Sequence, residues 1–326
     1  MPLAAREVTG ILADNLRMRG SVLPVPSRRA TRWATQMGLR KGGPTVLYTG
    51  MMYRVVPYVE GLNRLQARIA GTPLARYMWA ARLANKATRG YGMTLLARPS
   101  AAERAELGRV PANVARLLQA ASVDFGYLYE DDLYTGALVY DLGSDEVVGE
   151  HARRVAATLR KHGVSEVITI DPHTTTMLRS VFPKFIEGYD IKVRSYLEVL
   201  TERGCPGGPQ LAPRSGAEVV IHDSCVYARY EDVVDQPRQL LAAAGVKVLE
   251  PGQAGRQTWC CGGPAESLYP DKALAVAAKR AEQLRAVAPT CVTMCPICLV
   301  TLRKAADQGL RVRDISEFLV MARAKS

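Results

Sequence analysis

Five cysteines in the second half of the chain are spaced as a set. Cys225 closes the run "AEVVIHDSC", Cys260 and Cys261 stand side by side in "TWCCGGPAESLYP", and Cys295 and Cys298 make up "CPIC". Adjacent cysteines seldom pair with each other, because a disulfide needs Cα and Cβ placements that chain neighbours rarely allow. Each of the three groups falls where an expected strand ends or a helix begins. Backbone N–H groups at a helix start favour anions, which lowers a thiol pKa and suits thiolate ligands. Gly262 and Gly263 let the backbone close around a bulky object, and Pro296 fixes the turn inside CPIC. Five thiolates from three loops exceed the four of a tetrahedral zinc site. They suit an iron–sulfur cluster, whose irons need sulfur donors. A zinc site with one spare thiol and a set of unrelated core cysteines are the alternatives. Cys205, in a Gly- and Pro-rich stretch, and Cys291, opening a strand, lie outside the pattern and read as structural.

The elements that must position these thiols are legible around them. "AEVVIHD", "PRQLLAAAGVKVLEP", "DKALAVAAKRAEQLRAVAPTCVTMC" and "VRDISEFLVM" alternate strand and helix patterns. Such alternation implies parallel sheets covered by helices, with ligands at the C-terminal ends of strands. The fold class expected is α/β: two repeated Rossmann-like domains with parallel sheets, an N-terminal helical arm and a helical insertion.

The pattern C-x34-C-C-G-x32-C-P-x-C resembles the cysteine-rich "CCG" domain of the heterodisulfide reductases. Relatives of that family include the iron–sulfur subunits of glycolate, lactate and anaerobic glycerol-3-phosphate dehydrogenases. The five cysteines, the glycine after the pair and the proline of the last motif all match. The resemblance implies a [4Fe-4S] cluster of the non-cubane type held by Cys225, Cys260, Cys261, Cys295 and Cys298. It also implies electron transfer in a heterodisulfide-reductase-like complex, to or from a disulfide, thiol or partner. The iron–sulfur subunit of a flavin-linked hydroxy-acid or glycerol-3-phosphate dehydrogenase, and a zinc-stabilised scaffold without redox activity, are the rival functions.

The family commonly carries two such domains, and the first half here reads as a copy that has lost its ligands. "VLYTGMMYR" at 46–54 lies over the Cys225 segment, "LYTGALVYDLG" at 133–143 over the Cys260 segment, and "DPHTTTMLR" at 171–179 over "CPICLVTLR". Met51, Tyr134, Thr135, Asp171 and Thr174 then stand at the five cysteine positions. "VRSYLE" at 193–198 parallels "VRDISE" at 312–317. That set is too poor in thiolate for a second cluster. The first half reads as a scaffold, or as a vacated polar pocket lined by Tyr48, Tyr53, Tyr134, Tyr140, Asp171 and His173. Asp171 and His173 alone are too few ligands for a metal. His222 and Asp223, just before Cys225, read either as hydrogen-bond or proton donors to the cluster or as satisfied core residues.

The organisation expected is an arm over 1–43, a degenerate domain over 44–201 with its helical insertion at 55–120, a linker at 202–216 and the cluster domain at 217–326. The chain has 326 residues, 48% hydrophobic and 23% charged, which suits a soluble two-domain protein. No apolar run is long enough to span a bilayer, and the N-terminus reads as an amphipathic helix and not a secretion signal. A cytoplasmic setting is expected, where clustered thiols bind metal more often than they form disulfides. Residues 1–110 hold 18 Lys and Arg against 5 Asp and Glu, while the remainder holds 25 against 26. A basic first third is either a solvated face or a docking surface for an acidic partner or anionic lipid. "GTPLARYMWAARLANKATRG" suits docking, with Leu74, Tyr77, Met78 and Ala81 on one helical face. No nucleic-acid motif accompanies the charge. No ferredoxin cysteines occur, so the ferredoxin-like or flavoprotein electron carrier is expected on other subunits.

Overall fold

The computed structural model describes residues 5–23, 25, 31–69, 72–73, 77–97, 99–204, 217–306 and 309–323. Cys205, all of the expected linker past residue 204, and Leu74 and Arg76 of the amphipathic stretch lie outside them. Among the described residues, eight strands form two four-stranded sheets: β1 (Thr45–Tyr48), β2 (Gly126–Tyr127), β3 (Glu166–Thr169), β4 (Lys192–Ser195), β5 (Glu218–Ile221), β6 (Lys247–Leu249), β7 (Thr290–Thr293) and β8 (Arg311–Asp314). Their orders are β2-β1-β3-β4 and β6-β5-β7-β8, and every pair is parallel. The central strands are near-continuous apolar runs because helices cover both faces. Val46, Leu47, Val167, Ile168, Val220, Ile221 and Val292 are all completely buried.

The sheets repeat in register as well as in order. Val46 pairs with Val167 and Val167 with Val193; at the matching places Val220 pairs with Cys291 and Cys291 with Val312. Arg179 donates to the Val193 carbonyl, as Arg303 does to that of Val312. Gly136 and Gly262 both adopt left-handed backbone, with φ of 88° and 80°. The two copies also exchange contacts. The Tyr53 hydroxyl donates to Asp314 at 2.7 Å, and Tyr227, its counterpart, meets the Ser195 hydroxyl at 2.9 Å. Ser195 and Asp314 are themselves counterparts, each capping the helix that follows its strand. Buried hydroxyls need such partners, and here they come from the other copy.

Between β1 and β2 the chain runs through the helices Met52–Ile69, Met78–Ala87, Tyr91–Ala97, Ala101–Leu107 and Val110–Ala120. These helices reach the second copy. Gln66 donates to the Ser267 carbonyl at 2.7 Å, and Arg303 bonds Glu106 at 2.7 Å. The N-terminal helix Ala5–Arg19 packs its apolar face into the core. Ile11, Leu12 and Leu16, with Val22 and Leu23 after them, bury the apolar face of the segment. Arg17 binds Glu150 at 2.9 Å across that contact. Among the described residues no helix is long and apolar enough to cross a membrane.

Tyr53→Phe removes a donor from a buried carboxylate, and Tyr227→Phe removes a partner from a neutral hydroxyl. Denaturant unfolding is expected to show a loss of about 1.5–3 kcal/mol for the first and about 0.5–1.5 kcal/mol for the second. Equal, negligible losses would show that the exchange between copies contributes nothing.

Candidate iron–sulfur site

The three cysteine loops meet at the C-terminal edge of the second sheet. Cys225 opens the helical turn after β5, and Cys295 caps the helix Pro296–Ala305 after β7. Cys260 and Cys261 arrive on the loop that follows β6. The sulfurs form a contiguous series. Cys225 and Cys260 lie 3.9 Å apart, the Cys261 and Cys298 sulfurs lie within 4.8 Å of each other, and Cys295 and Cys298 share the first turn of one helix. Cys261, Cys295 and Cys298 are buried, while Cys225 and Cys260 are partly open. The Gly262 N–H donates to the Cys260 sulfur at 3.3 Å. A Cβ on Gly263 would stand 2.2 Å from Ile297 and 2.8 Å from the Thr301 hydroxyl, so only glycine lets the loop pass this close. Cys291 is buried within β7, with its sulfur directed to the Val292 carbonyl.

Two histidines flank the sulfurs, one from each copy. His222 Nδ1 accepts a bond of 3.2 Å from Arg280, so its proton sits on Nε2. That Nε2 is buried without a partner, and the ring offers a nitrogen within 4.8 Å of the Cys261 and Cys298 sulfurs. Burial, and then the charge of Arg280, push His222 down to about 3, so the ring is neutral. Arg280 is itself fully buried; it also donates to the Gln253 carbonyl at 3.0 Å and contacts the Thr258 hydroxyl. His173 comes from the first copy. Burial disfavours its charge, but the bond to Cys295, that thiolate's charge, Asp141 and Asp171 outweigh it and raise His173 to about 9. The same ring helps hold Cys295 well below the usual thiol range against its burial. By contrast, the bond to Cys260 and burial push Cys225 far up, as the bond to Cys260 does Cys261. Five adjacent thiols cannot all ionise without cationic charge among them. A neutral N–H beside the sulfurs, a glycine cradle and an all-sulfur donor set fit an iron–sulfur cluster.

Asp223 does not face the sulfurs. Arg238 grips its carboxylate with bonds of 2.8 and 2.9 Å, and the Gly255 N–H adds a third at 2.7 Å. It braces the loops. In the first copy, Tyr134, Thr135, Asp171 and Thr174 are buried and Met51 is partly so. Asp171 caps Thr174 at 2.9 Å, while its second oxygen and the hydroxyls of Thr135 and Thr174 have no hydrogen-bond partner. The expected tyrosine pocket does not form as one space. Tyr48 bonds the Leu133 carbonyl and Tyr53 bonds Asp314, whereas Tyr134 and Tyr140 line two different cavities. His173 borders both cavities. The one on the Tyr140 side has a volume of about 310 Å³ and is also lined by Asp141, Lys184, Val226 and Tyr230.

Residues 219–303 match the family model of the cysteine-rich domain, CCG. This segment is a CCG domain. Similar proteins are longer chains. The EtfAB:quinone oxidoreductase of Syntrophomonas wolfei is 28% identical over 226 residues, which are 65% of this chain and 31% of that protein. The Bacillus subtilis protein named "Probable iron-sulfur-binding oxidoreductase FadF" is 28% identical over 225 residues, 66% of this chain and 31% of its own length. A "Probable membrane-anchored ferredoxin" of Chromohalobacter salexigens is 27% identical over 224 residues, 64% of this chain and 32% of its own. The chain thus spans about a third of the length of the curated relatives it matches.

Sequence reasoning missed Arg280 and the reach of His173 to the CCG domain. Arg280 had a signal. In the helix Pro270–Arg285 it falls on the buried stripe with Ala273, Ala277, Ala281 and Leu284. A cation on an apolar stripe points to a buried partner. His173 had none, since its target lies on the other copy.

Two outcomes follow. Burial raises Asp171 to about 7 from 3.8, so the folded chain keeps a proton that the unfolded chain has released. Its contribution is greatest below pH 4 and is lost as pH rises to about 7. Asp171→Asn should therefore gain up to about 4 kcal/mol over the parent between pH 4 and pH 8, read by denaturant unfolding at both values. A constant difference would show that Asp171 ionises normally. Gly263→Ala should lower bound iron or the unfolding midpoint, since Ile297 and Thr301 must move; an unchanged protein would refute the close passage.

Proposed function

We propose that this chain is the iron–sulfur redox subunit of a heterodisulfide-reductase-like complex. In this reading Cys225, Cys260, Cys261, Cys295 and Cys298 hold one [4Fe-4S] cluster, non-cubane because five sulfurs take part. The contiguous series of five sulfurs carries the reading. A cluster there supplies one-electron chemistry. The chain's own residues do the rest. Protonated His173 supplies positive charge beside Cys295, Arg280 holds His222 in the tautomer that keeps its N–H on the free nitrogen, and Asp223 with Arg238 fixes the loops. Cys225 and Cys260 are the partly open members of the set, and the cavity beside His173 has room for a small thiol or disulfide. The first copy offers no thiolates, so no second cluster faces the first.

The names of the relatives support a second reading, in which a flavoprotein partner delivers electrons and a quinone receives them downstream. Both readings place the chain among other redox subunits, in the cytoplasm or peripheral on the cytoplasmic membrane face.

Anaerobically purified protein should contain about four irons and four sulfides per chain, with an EPR signal that changes on reduction. Cys260→Ser or Cys261→Ser should lose most of the iron, while Cys291→Ser and Cys205→Ser keep it. Stoichiometric zinc without sulfide would instead identify a structural zinc scaffold.

A further inference from the structure

The helices Met78–Ala87 and Tyr91–Ala97 turn a set of large apolar side chains to solvent. Trp79 is 60% exposed, Leu83 63% and Leu95 78%, with Tyr91 and Leu96 beside them. Between Glu60 and Glu103 the sequence has no acidic residue but holds Arg64, Arg68, Arg76, Arg82, Lys86, Arg89 and Arg98. Arg82 and Lys86 also bind Asp14 of the first helix, at 2.7 and 3.4 Å, which ties this face to the body. Trp, Tyr and Leu on helices flanked by Lys and Arg are the composition of an element lying in a lipid interface. So many large apolar side chains exposed on two successive helices are unusual on a free surface.

Behind that face is a cavity of about 120 Å³. Its wall is apolar, with Ile11, Leu62, Met78, Ala81 and Met93, except for Asn63, Gln66 and Ser267. That is near the size of a cavity that admits a benzene ring. A second cavity of about 40 Å³ adjoins it and shares Val59, Asn63, Leu138 and Ser267. The wall of the second cavity also contains His173 and Gly263 of the sulfur site, together with Glu60 and Glu266. This inner space has room for water beside its polar groups. Glu60 and Glu266 are buried and share Lys304 as counter-ion. Burial, then the charge of Glu266, raises Glu60 to about 8, so a carboxyl proton is present at neutral pH.

We propose that these helices dock on an anionic lipid bilayer and admit a lipid-soluble quinone, whose ring occupies the apolar cavity with its tail left in the lipid. Asn63, Gln66 and Ser267 are the polar groups in reach of ring carbonyls. The reduction balances as quinone plus two electrons plus two protons giving quinol. The electrons come from a low-potential redox-protein partner, and the protons come from water by way of Glu60 and Glu266. The redox step rests on the iron–sulfur reading above; docking and quinone binding do not.

The test uses the full chain with vesicles of phosphatidylcholine alone or mixed equally with phosphatidylglycerol. The protein should sediment with the anionic vesicles, release with salt, and lose tryptophan emission to lipids brominated on their acyl chains. Trp79→Ser with Leu95→Ser should cut sedimentation about tenfold with iron content unchanged. Equilibrium dialysis with decyl-benzoquinone should give saturable binding that Ala81→Phe weakens about tenfold and Met93→Leu preserves. Equal partition onto neutral and anionic vesicles, no partition at low salt, or quinone binding indifferent to Ala81→Phe would overturn the proposal. So would a protein partner that sits on Trp79 and Leu95 in a preparation that ignores vesicles. Iron and sulfide are assayed on the same samples. Iron-free protein that still binds vesicles and quinone overturns the redox reading alone, and iron-loaded protein that binds neither overturns the docking alone.

Discussion

Gathering five sulfurs at one buried edge of a sheet is the constraint on which the rest of this structure depends. Thiolates repel one another, and burial strengthens that repulsion. The protein answers with cations and oriented donors at fixed places. His173 stands beside Cys295 with its pKa raised by that thiolate, Asp141 and Asp171 despite burial, Gly262 gives its N–H to Cys260, and buried Arg280 orients His222 beside Cys261 and Cys298. Arg280 in turn must be satisfied, and the loop carbonyl of Gln253 does that. The loops are therefore held by the same groups that temper their charge. An iron–sulfur cluster, whose irons need sulfur donors, would add positive charge among these thiols.

The duplication explains how such a site is framed. Each copy builds the same parallel sheet and the same helix caps, so the two place equivalent positions at equivalent strand ends. Only the occupants differ. Where the second copy has sulfur, the first has Met51, Tyr134, Thr135, Asp171 and Thr174, and Asp132 collects the Thr49 and Gly50 N–H groups in place of a ligand loop. The scaffold persists because the copies complete each other: Tyr53 reaches Asp314 and Tyr227 reaches Ser195. The first copy contributes His173 and a cavity wall to the sulfur site.

The helices inserted between β1 and β2 give the site its surroundings. One of them, Met52–Ile69, holds the cluster loop through Gln66 and carries Glu60 to its edge. His173 borders the cavity beside Tyr140 and also the small inner cavity, which adjoins the apolar one beneath Met78. A single buried ring thus stands between a cavity with polar side chains in its wall and the way to an apolar one.

The sequence by itself determined the sulfur set, the strand ends that bear it, and the repeat of one α/β pattern in both halves. These are legible because they follow from local pattern: period, turn residues and spacing repeat along the chain. It also marked Cys291 as structural. Tertiary structure alone decided that His173 comes to the sulfur site, that Asp223 is bound by Arg238, and that the expected arm packs into the core. It likewise decided that the tyrosines of the first copy face different cavities. Each of these depends on which buried polar group finds a partner from a distant segment. A side chain's type fixes what bonds it needs, but only the packed fold fixes who provides them.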